Sequence, residues 1–404
     1  MELLEKLQFL LNELSSNPFY RDRLPRSIED LEDFRQKVGF TTKNEIVQDC
    51  RDHPPFGSNL TYPLGQYTRF CQSSGTTAGP LPSLDTPESW GSLLDVWDQV
   101  YEHSGVTTDQ SIFFAFSFGP FLGFWTAFDA ATRRGNLSIP GGGLSSEARI
   151  QTMARYGADV LCCTPTYAIR LGEVLSEQPR ELRDAIRIRR ILVAGEPGGS
   201  IPATRAKIEK LWPGAKVWDH HGMTEVGPVS YQVAGAMESL MVHEDAFFAE
   251  VIDPETQREV EDGQQGELIL TTLNRIAKPL VRYRTGDLVC KRRINGQLCL
   301  EGGILGRVDD MTIVRGVNIY PSAIERIVRQ FDDAVEFQVI ETVRDSMAEL
   351  LLVIEPAPGA DGPVLAEKMA GELNTAFSLR IPVKLAKEGE LPRHEFKSNR
   401  WIRS

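Results

Sequence analysis

The chain has 404 residues, of which 41% are hydrophobic and 25% are charged, and its formal net charge is −12. This length exceeds one ordinary domain of about 100–200 residues, so two or three units are expected. The acidic balance argues against a nucleic-acid surface, because proteins that bind phosphate backbones carry a basic excess. A local site for a small anion stays open, since backbone N–H groups can hold one.

The N-terminal segment and the cysteines both indicate a cytoplasmic protein. Leu3, Leu7 and Leu14 fall on one face of a predicted helix, and charged residues interrupt any signal-peptide run. No stretch approaches the ~18–20 apolar residues of a membrane span, so no membrane partner is expected. The six cysteines lack a disulfide-framework spacing, and Cys162 and Cys163 are adjacent, which favours reduced thiols.

Strand and helix patterns alternate in the middle of the chain, after a helical stretch in residues 1–70. The apolar runs predicted as buried strands lie at residues 111–118, 159–163 and 190–194, and the helical patterns lie at about 145–156, 166–177 and 202–211. This alternation is typical of a doubly wound layer, and from residue 247 the pattern changes to β. We therefore predict an α/β protein with a large N-terminal domain, residues 1–306, that holds doubly wound sheet layers and a β subdomain. A small, mobile α+β domain, residues 307–404, would follow.

A segment rich in glycine and hydroxyl groups, residues 73–80 (SSGTTAGP), is the first candidate site. Glycines allow backbone N–H groups to turn toward an oxyanion, and hydroxyls add short donors, so the segment suits a polyphosphate. It is not a P-loop, because no Gly-Lys-Ser/Thr follows. A flexible surface linker explains the composition equally well.

Residues 219–225 (DHHGMTE) follow a predicted strand at 216–218. Thr224 can offer a hydroxyl to a phosphate, and Glu225 can offer a carboxylate to Mg²⁺. The competing interpretation is a strand-to-helix turn capped by the same two residues, and on this segment alone it is favoured. The pair His220 and His221 is weak evidence for a metal site, because adjacent side chains on extended backbone point apart.

Two more segments place a carboxylate beside arginine and glycine, at residues 282–287 (RYRTGD) and 306–311 (GRVDDM). A carboxylate suits the hydroxyls of a ribose and an arginine suits a phosphate, although surface ion pairs are the common alternative. Lys397, in LPRHEFK at residues 391–397, by itself indicates only a solvated basic tail.

The order and spacing of these five segments resemble the acyl-adenylate-forming superfamily of acyl-CoA ligases, luciferases and nonribosomal-peptide adenylation domains. The phenylacetate–CoA ligase branch is the more similar one, through residues 17–21 (NPFYR), 40–43 (FTTK), 194–197 (AGEP) and 315–325 (RGVNIYPSAIE). The resemblance implies a Mg²⁺- and ATP-dependent enzyme that activates a carboxylic acid as an acyl-adenylate. The acyl group would then pass to the thiol of coenzyme A, with release of AMP.

The resemblance also implies a role for each matching residue of the nucleotide site. The residues expected to bind the β- and γ-phosphates are Ser73, Ser74, Gly75, Thr76 and Thr77. Those expected around adenine are Gly195, Glu196, Pro197 and Asp219. Asp287 would accept the ribose hydroxyls, helped by Arg307.

Catalysis is expected to depend on charge neutralisation, because a carboxylate is a poor nucleophile toward an α-phosphate. Thr224 would contact the α-phosphate, Glu225 would hold Mg²⁺, and Lys397 would reach the reacting groups after rotation about a hinge at Asp309. The acid pocket would be formed by Phe118, Phe121, Phe124, His220, His221 and Gly222. These rings favour an aromatic or small heteroaromatic acid.

Three departures from the family pattern stand out. Ala78 and Gly79 occupy the place of the usual Gly-Lys, which removes one cation from the phosphate segment. The zinc ligands of many relatives correspond to Val233, Met241 and a segment around Cys290 and Cys299 that lacks Cys-x-Cys, so zinc is not expected. The aromatic segment is also bulkier than the usual glycine-rich one, and the two histidines replace Ile-Tyr.

Two alternatives stay open at this point. A stand-alone adenylation enzyme would load a carrier protein or an amine instead of coenzyme A. A catalytically weak nucleotide-binding relative is favoured by the missing lysine and opposed by the retained Glu225, Asp287, Arg307 and Lys397. A homodimer also stays open, and the motifs do not identify the acid.

Overall fold

The computed structural model describes residues 2–73, 80–236, 238–315, 317–344, 347–394 and 400–403. The predictions for Ser74, Gly75, Thr76, Thr77 and Lys397 lie outside these residues. Within the described part of the chain, no helix is long and apolar enough to cross a membrane.

Three helices and a small two-stranded sheet begin the chain. The bounds are α1 Leu3–Glu13, α2 Leu31–Lys37, α3 Lys43–Asp52, β1 Arg69–Gln72 and β2 Pro82–Asp85. Helix α3 starts with a capping box in which Thr42 and Glu45 satisfy each other's backbone N–H groups. An isolated bridge between Thr41 and Tyr283 ties the start of α3 to the main sheet.

A parallel, doubly wound layer follows, as predicted. Its strands are β3 Ser111–Phe114, β4 Leu137–Pro140, β5 Val160–Cys163, β6 Arg190–Val193 and β7 Lys216–Met223. Its helices are α4 Pro87–His103, α5 Leu122–Arg134, α6 Ser146–Tyr156, α7 Pro165–Ser176, α8 Arg180–Asp184 and α9 Pro202–Leu211. Buried side chains of α4 and α5 pack on one face of the strands, and those of α6, α7 and α9 pack on the other.

An antiparallel half continues the same sheet. Its strands are β8 Gly227–Gln232, β9 Ser239–Val242, β10 Phe247–Ile252, β11 Gln265–Thr272, β12 Tyr283–Ile294 and β13 Gln297–Arg307. The order of the whole 11-stranded sheet is β10-β11-β12-β13-β9-β8-β7-β6-β5-β3-β4. Helix α1 buries Leu7, Leu10 and Leu11 against the core of this half.

The chain ends in a separate four-stranded sheet of order β18-β17-β16-β19. The elements after β13 are β14 Thr312–Val314, β15 Val317–Ile319, α10 Pro321–Val328, β16 Ala334–Arg344, β17 Met347–Pro356, α11 Gly362–Phe377, β18 Val383–Leu385 and β19 Trp401–Arg403. Helices α10 and α11 share one apolar core with this sheet. These findings confirm the predicted α/β class with an α+β C-terminal part, while the boundary at residue 307 stays a prediction.

Two local predictions differ from the structure. The strand predicted over residues 111–118 ends at Phe114, because the chain leaves the sheet there. The strand-to-helix turn expected after residue 218 is wrong, since β7 continues to Met223 and returns directly as antiparallel β8. Glycine explains this tight pairing: a Cβ on Gly222 would lie 2.8 Å from the carbonyl oxygen of Gly227.

Candidate active site

Strand β7 lies where the main sheet changes from parallel to antiparallel pairing. It runs parallel to β6, with Asp219 opposite Val193, and antiparallel to β8, with His220 opposite Tyr231. Ligands of open α/β sheets bind outside the carboxyl ends of the parallel strands, and residues 219–225 begin at that end of the parallel part of β7. Residues 219–225 therefore lie at the centre of the candidate site.

Asp219 is buried beside the loop that follows β6. Its Oδ2 accepts a hydrogen bond from Ser200 Oγ at 2.5 Å, and its Oδ1 accepts one from the His220 N–H at 3.0 Å. Burial raises the pKa of the Asp219 carboxyl. A Cβ on Gly199 would lie 2.4 Å from Asp219 Cγ, so this close approach requires glycine. Asp219 is thus held by protein groups next to the predicted adenine loop.

The predicted adenine loop is anchored to helix α7. Val193 ends β6, and Gly195 adopts a φ of 94°, which places the loop in a conformation that glycine favours. Glu196 Oε1 accepts a hydrogen bond from the Thr166 N–H, in the first turn of α7, at 2.8 Å. The structure therefore brings Gly195, Glu196 and Asp219 to the same end of the parallel strands, while their adenine contacts stay a prediction.

The two histidines point to different surroundings, as expected on extended backbone. His220 is buried against the Trp97 ring, at 4.4 Å between centroids, and its Nδ1 lies 3.1 Å from the Ser230 carbonyl oxygen. Burial lowers its pKa to about 4, so its imidazole is neutral at physiological pH. His221 Nε2 lies 3.1 Å from Asp287 Oδ2. His221 therefore faces the predicted ribose carboxylate, and His220 belongs to the packed interior.

Asp287 and Arg307 form a cross-strand pair between β12 and β13. Arg307 Nη1 donates to Asp287 Oδ1 at 3.1 Å, and Arg307 Nε donates to Asp309 Oδ1 at 2.9 Å. Burial works against the charged guanidinium, but the hydrogen bond to Asp309 and the Asp287 charge raise the pKa of Arg307 above its usual range. The predicted ribose carboxylate, its arginine and the predicted hinge residue are therefore directly connected.

Thr224 and Glu225 lie in the turn between β7 and β8, with both side chains partly exposed. Glu225 Oε1 lies 3.4 Å from Lys43 Nζ, at the start of α3. The FTTK segment carried part of the family resemblance, but no role was assigned to its lysine from sequence. Its nearness to Glu225 depends on the bridge that holds Thr41 to Tyr283, 242 positions away, which no local pattern reveals.

The aromatic segment adjoins the base of the predicted phosphate segment. The Pro120 carbonyl accepts a hydrogen bond from the Gln72 N–H at 2.6 Å. Phe124 stacks on Phe116, with centroids 4.3 Å apart and planes at 10°, and Phe121 lies edge-on to Phe124 at 5.7 Å. Phe118, in the same segment, contacts Phe114, Phe116, Trp125 and Phe128.

Ser73 is the first residue of the predicted phosphate segment and is hydrogen-bonded to Leu81. Its N–H donates to the Leu81 carbonyl at 3.0 Å, and its Oγ accepts from the Leu81 N–H at the same distance. Its hydroxyl oxygen is therefore already engaged by backbone, while a phosphate contact stays a prediction.

The two positions that the family resemblance assigns to zinc ligands, Val233 and Met241, lie in an apolar cluster with Cys299. Met241 and Cys299 are direct partners across β9 and β13, and Val233 packs against the same cluster. Burial raises the pKa of the Cys299 thiol, which disfavours the thiolate that a metal needs. Among the described residues, no group of three His, Cys, Asp or Glu side chains could hold a metal ion.

Comparison with protein-family models identifies the family of this chain. The AMP-binding enzyme model matches residues 70–274, and the AMP-binding enzyme C-terminal domain model matches residues 316–403. The chain belongs to the AMP-binding enzyme family.

Curated relatives come from the branch that the sequence resembled. A phenylacetate-coenzyme A ligase from Pseudomonas putida is 30% identical over an alignment that covers 98% of this chain and 92% of its own. A phenylacetate-coenzyme A ligase from Escherichia coli (strain K12) is 30% identical, with 86% of this chain and 80% of its own covered.

Solved structures of a 2-hydroxyisobutyryl-CoA ligase share the fold. Its postadenylation state, in complex with R3-HIB-AMP, matches with a TM-score of 0.92 at 27% identity, covering 99% of this chain and 88% of that one. The same ligase in complex with 2-HIB-AMP and CoA in the thioesterification state matches with a TM-score of 0.73, over the same shares of the two chains. The arrangement of this chain is therefore more similar to the postadenylation structure.

Proposed function

We propose that this chain, an ATP-dependent and AMP-forming acid–coenzyme A ligase, activates a planar aromatic acid. The family matches cover both the ATP-binding part and the C-terminal domain, which supports acyl-adenylate formation followed by transfer to coenzyme A. The choice of acid rests on the rings of Phe118, Phe121 and Phe124, whose segment adjoins Gln72 at the base of the predicted phosphate segment, because aromatic side chains commonly line pockets for planar substrates.

Each residue of the site has its own proposed role in adenylation. Asp287 would hold the ribose, Thr224 would contact the α-phosphate, and Glu225 would hold Mg²⁺, whose charge offsets that of the phosphates when it is bound. A single carboxylate fits Mg²⁺, which usually takes one or two carboxylates plus phosphate oxygens and waters. Lys43, 3.4 Å from Glu225, adds a cation to a chain whose phosphate segment lacks lysine. This supports an active ligase over a weak nucleotide-binding relative.

A small branched hydroxy acid is the second candidate, because the structure matches the 2-hydroxyisobutyryl-CoA ligase with a TM-score of 0.92. The test is acid-dependent pyrophosphate release with phenylacetate, benzoate, 2-hydroxyisobutyrate and octanoate, with and without coenzyme A. We expect the highest kcat/KM for an aryl acid and thioester formation when coenzyme A is present. Faster activation of 2-hydroxyisobutyrate or octanoate than of either aryl acid would contradict the aromatic pocket.

The same assay examines the acceptor. Adenylate formation without any thioester from coenzyme A would favour loading of a carrier protein or an amine. Homodimer formation and a cytoplasmic location stay sequence-based hypotheses.

A further inference from the structure

Arg275 is a buried residue in the connection between β11 and β12 that none of the sequence motifs contains. On one side it binds β2, the strand that follows the predicted phosphate segment. Its Nε and Nη2 donate to the two carboxylate oxygens of Asp85 at 2.8 and 2.6 Å, and Nη2 also donates to Ser83 Oγ at 2.7 Å. This bidentate geometry requires the planar fork of a guanidinium.

On its other side Arg275 binds the main chain of the β7–β8 turn. Its Nη1 donates to the carbonyl oxygen of Thr224 at 3.2 Å and to that of Glu225 at 2.8 Å. These contacts use backbone atoms, so Arg275 does not occupy the Thr224 hydroxyl or the Glu225 carboxylate. One side chain thus connects the turn that carries both residues to strand β2.

The ladder of β7 and β8 fixes the two ends of this turn. Gly222 lies opposite Pro228 and Met223 lies opposite Gly227, whose φ of 98° is a conformation that glycine favours. Thr224 and Glu225 lie between these ends, outside the ladder. The hydrogen bonds from Arg275 hold the two carbonyl groups that the ladder leaves unpaired.

We propose that Arg275 is a positioning residue for adenylation, which fixes the turn that carries Thr224 and Glu225 against strand β2. The proposal rests on the proposed function, since it takes Glu225 as the carboxylate that holds Mg²⁺. Its loss should therefore weaken the use of Mg²⁺ and ATP, beyond any loss of stability.

The chain offers a matched control in Arg282. Arg282 is also buried, donates to both oxygens of Glu250 at 3.0 and 3.1 Å, and donates to the carbonyl oxygens of Arg35 and Val38 at 2.6 and 2.7 Å. Like Arg275, it combines a bidentate carboxylate with two carbonyl oxygens, but these partners belong to helix α2, to Val38 directly after it and to strand β10, and not to the β7–β8 turn. A purely structural role would make the two arginines equivalent.

The experiment compares Arg275→Lys with Arg282→Lys in the full-length protein. It measures unfolding by denaturant, the Mg²⁺ concentration for half-maximal pyrophosphate exchange, and the KM for ATP. Lysine keeps the charge but cannot reach all of these acceptors, so we expect the Mg²⁺ and ATP constants of Arg275→Lys to rise about tenfold, as for a lost charge-assisted hydrogen bond. Arg282→Lys should lower stability while its two constants stay within about twofold of the parent protein.

Equal Mg²⁺ constants in the two variants would overturn the proposal, even if both were destabilised. If Arg275→Lys does not fold, Asp85→Asn replaces it, because it loosens Arg275 and should shift the Mg²⁺ constant in the same direction. An unshifted constant in Asp85→Asn counts against the proposal. Calorimetric binding of MgATP without acid separates this proposal from the proposed function. If the parent protein shows no acid-dependent exchange, the proposed function fails, and an unchanged Mg²⁺ dependence of ATP binding in Arg275→Lys overturns the positioning role as well.

Discussion

Asp287 already accepts hydrogen bonds on both carboxylate oxygens, from Arg307 at 3.1 Å and from His221 at 3.1 Å. Its carboxylate is therefore aimed by two donors that approach from different strands, β13 and β7. A ribose would add its hydroxyls to a carboxylate whose direction is set in advance, which lowers the ordering cost of binding.

Replacing this carboxylate should affect the nucleotide more than the acid. For Asp287→Ala we expect the KM for ATP to rise about tenfold or more, with a smaller change in kcat, because a ribose contact acts in ground and transition states alike. Steady-state pyrophosphate release measures both constants, and the KM for the acid is the internal control. An unchanged KM for ATP would contradict the ribose role.

His220 should make stability depend on pH. Burial lowers its pKa from the ordinary 6.5 to about 4. Between pH 6.5 and pH 4, His220 is therefore protonated in the unfolded chain and neutral in the folded chain. Its contribution is complete above pH 6.5 and is lost as the pH falls toward 4. Between pH 7 and pH 5 the free energy of unfolding should fall by about 2 kcal/mol on its account.

The variant His220→Gln isolates this contribution, since an amide can still donate to the Ser230 carbonyl. The ionisable side chains around it include Asp219, His221 and the buried His243, and both proteins keep them. Denaturant unfolding at pH 7 and pH 5 should show a smaller decrease in the variant. Parallel decreases in the two proteins would mean that His220 does not titrate as inferred.

Local patterns predict some of these residues and miss others for a physical reason. The sequence predicts Asp287 and Arg307 as site residues because each lies in a short motif with a glycine nearby. Arg275 and Asp85 are 190 positions apart, and their pairing depends on how the sheet folds. Sequence periodicity carries no signal for such a contact.

At the scale of elements, the doubly wound layer was predictable because its strands are continuous apolar runs bounded by helices. The β7–β8 hairpin was not, since Gly, Thr and Glu after a strand also fit the start of a helix. What decided the outcome was close backbone pairing at Gly222, a tertiary contact that overrides local preference.

The sheet elements β9 and β13 should be stable without a metal. Met241 and Cys299 pack directly against each other, and hydrophobic burial there takes the place of ligand bonds. We expect zinc to be absent or substoichiometric in purified protein, measured by elemental analysis. About one zinc per chain that survives dialysis against a chelator would contradict this, since a structural zinc normally needs four N or S ligands.

At the scale of the whole molecule, the C-terminal domain contacts the large domain. Arg400 Nη1 donates to Thr166 Oγ1 at 3.3 Å, and Thr166 also supplies the N–H that Glu196 accepts. Lys210 and Asp332 form an exposed ion pair at 2.8 Å. The first contact connects the residue before β19, through Thr166, to the predicted adenine loop, which fits the greater similarity to a postadenylation structure.

Lys397 should matter for the first half-reaction and not for the second. A lysine near the α-phosphate would neutralise charge that develops as the carboxylate attacks, whereas thiol attack on a finished adenylate would follow the domain rotation that the family resemblance implies. We expect Lys397→Ala to abolish pyrophosphate exchange while a synthetic acyl-adenylate is still converted to thioester at a rate near that of the parent protein.

The control for this prediction is Lys384→Ala, an exposed lysine on β18 of the same domain. It should leave both half-reactions unchanged. If Lys397→Ala lowered both half-reactions together, either Lys397 would be structural or no rotation would take place.

Strands β1 and β2 form a ladder of their own, from Arg69 opposite Asp85 to Gln72 opposite Pro82, and Ser73 and Leu81 close its end with two hydrogen bonds. This ladder is not part of the main sheet. The two hydrogen bonds between Ser73 and Leu81 therefore hold the ends of this segment without any side chain of residues 74–80. A protein engineer can use Ser73 and Leu81 as fixed ends when a lysine is introduced in place of Gly79.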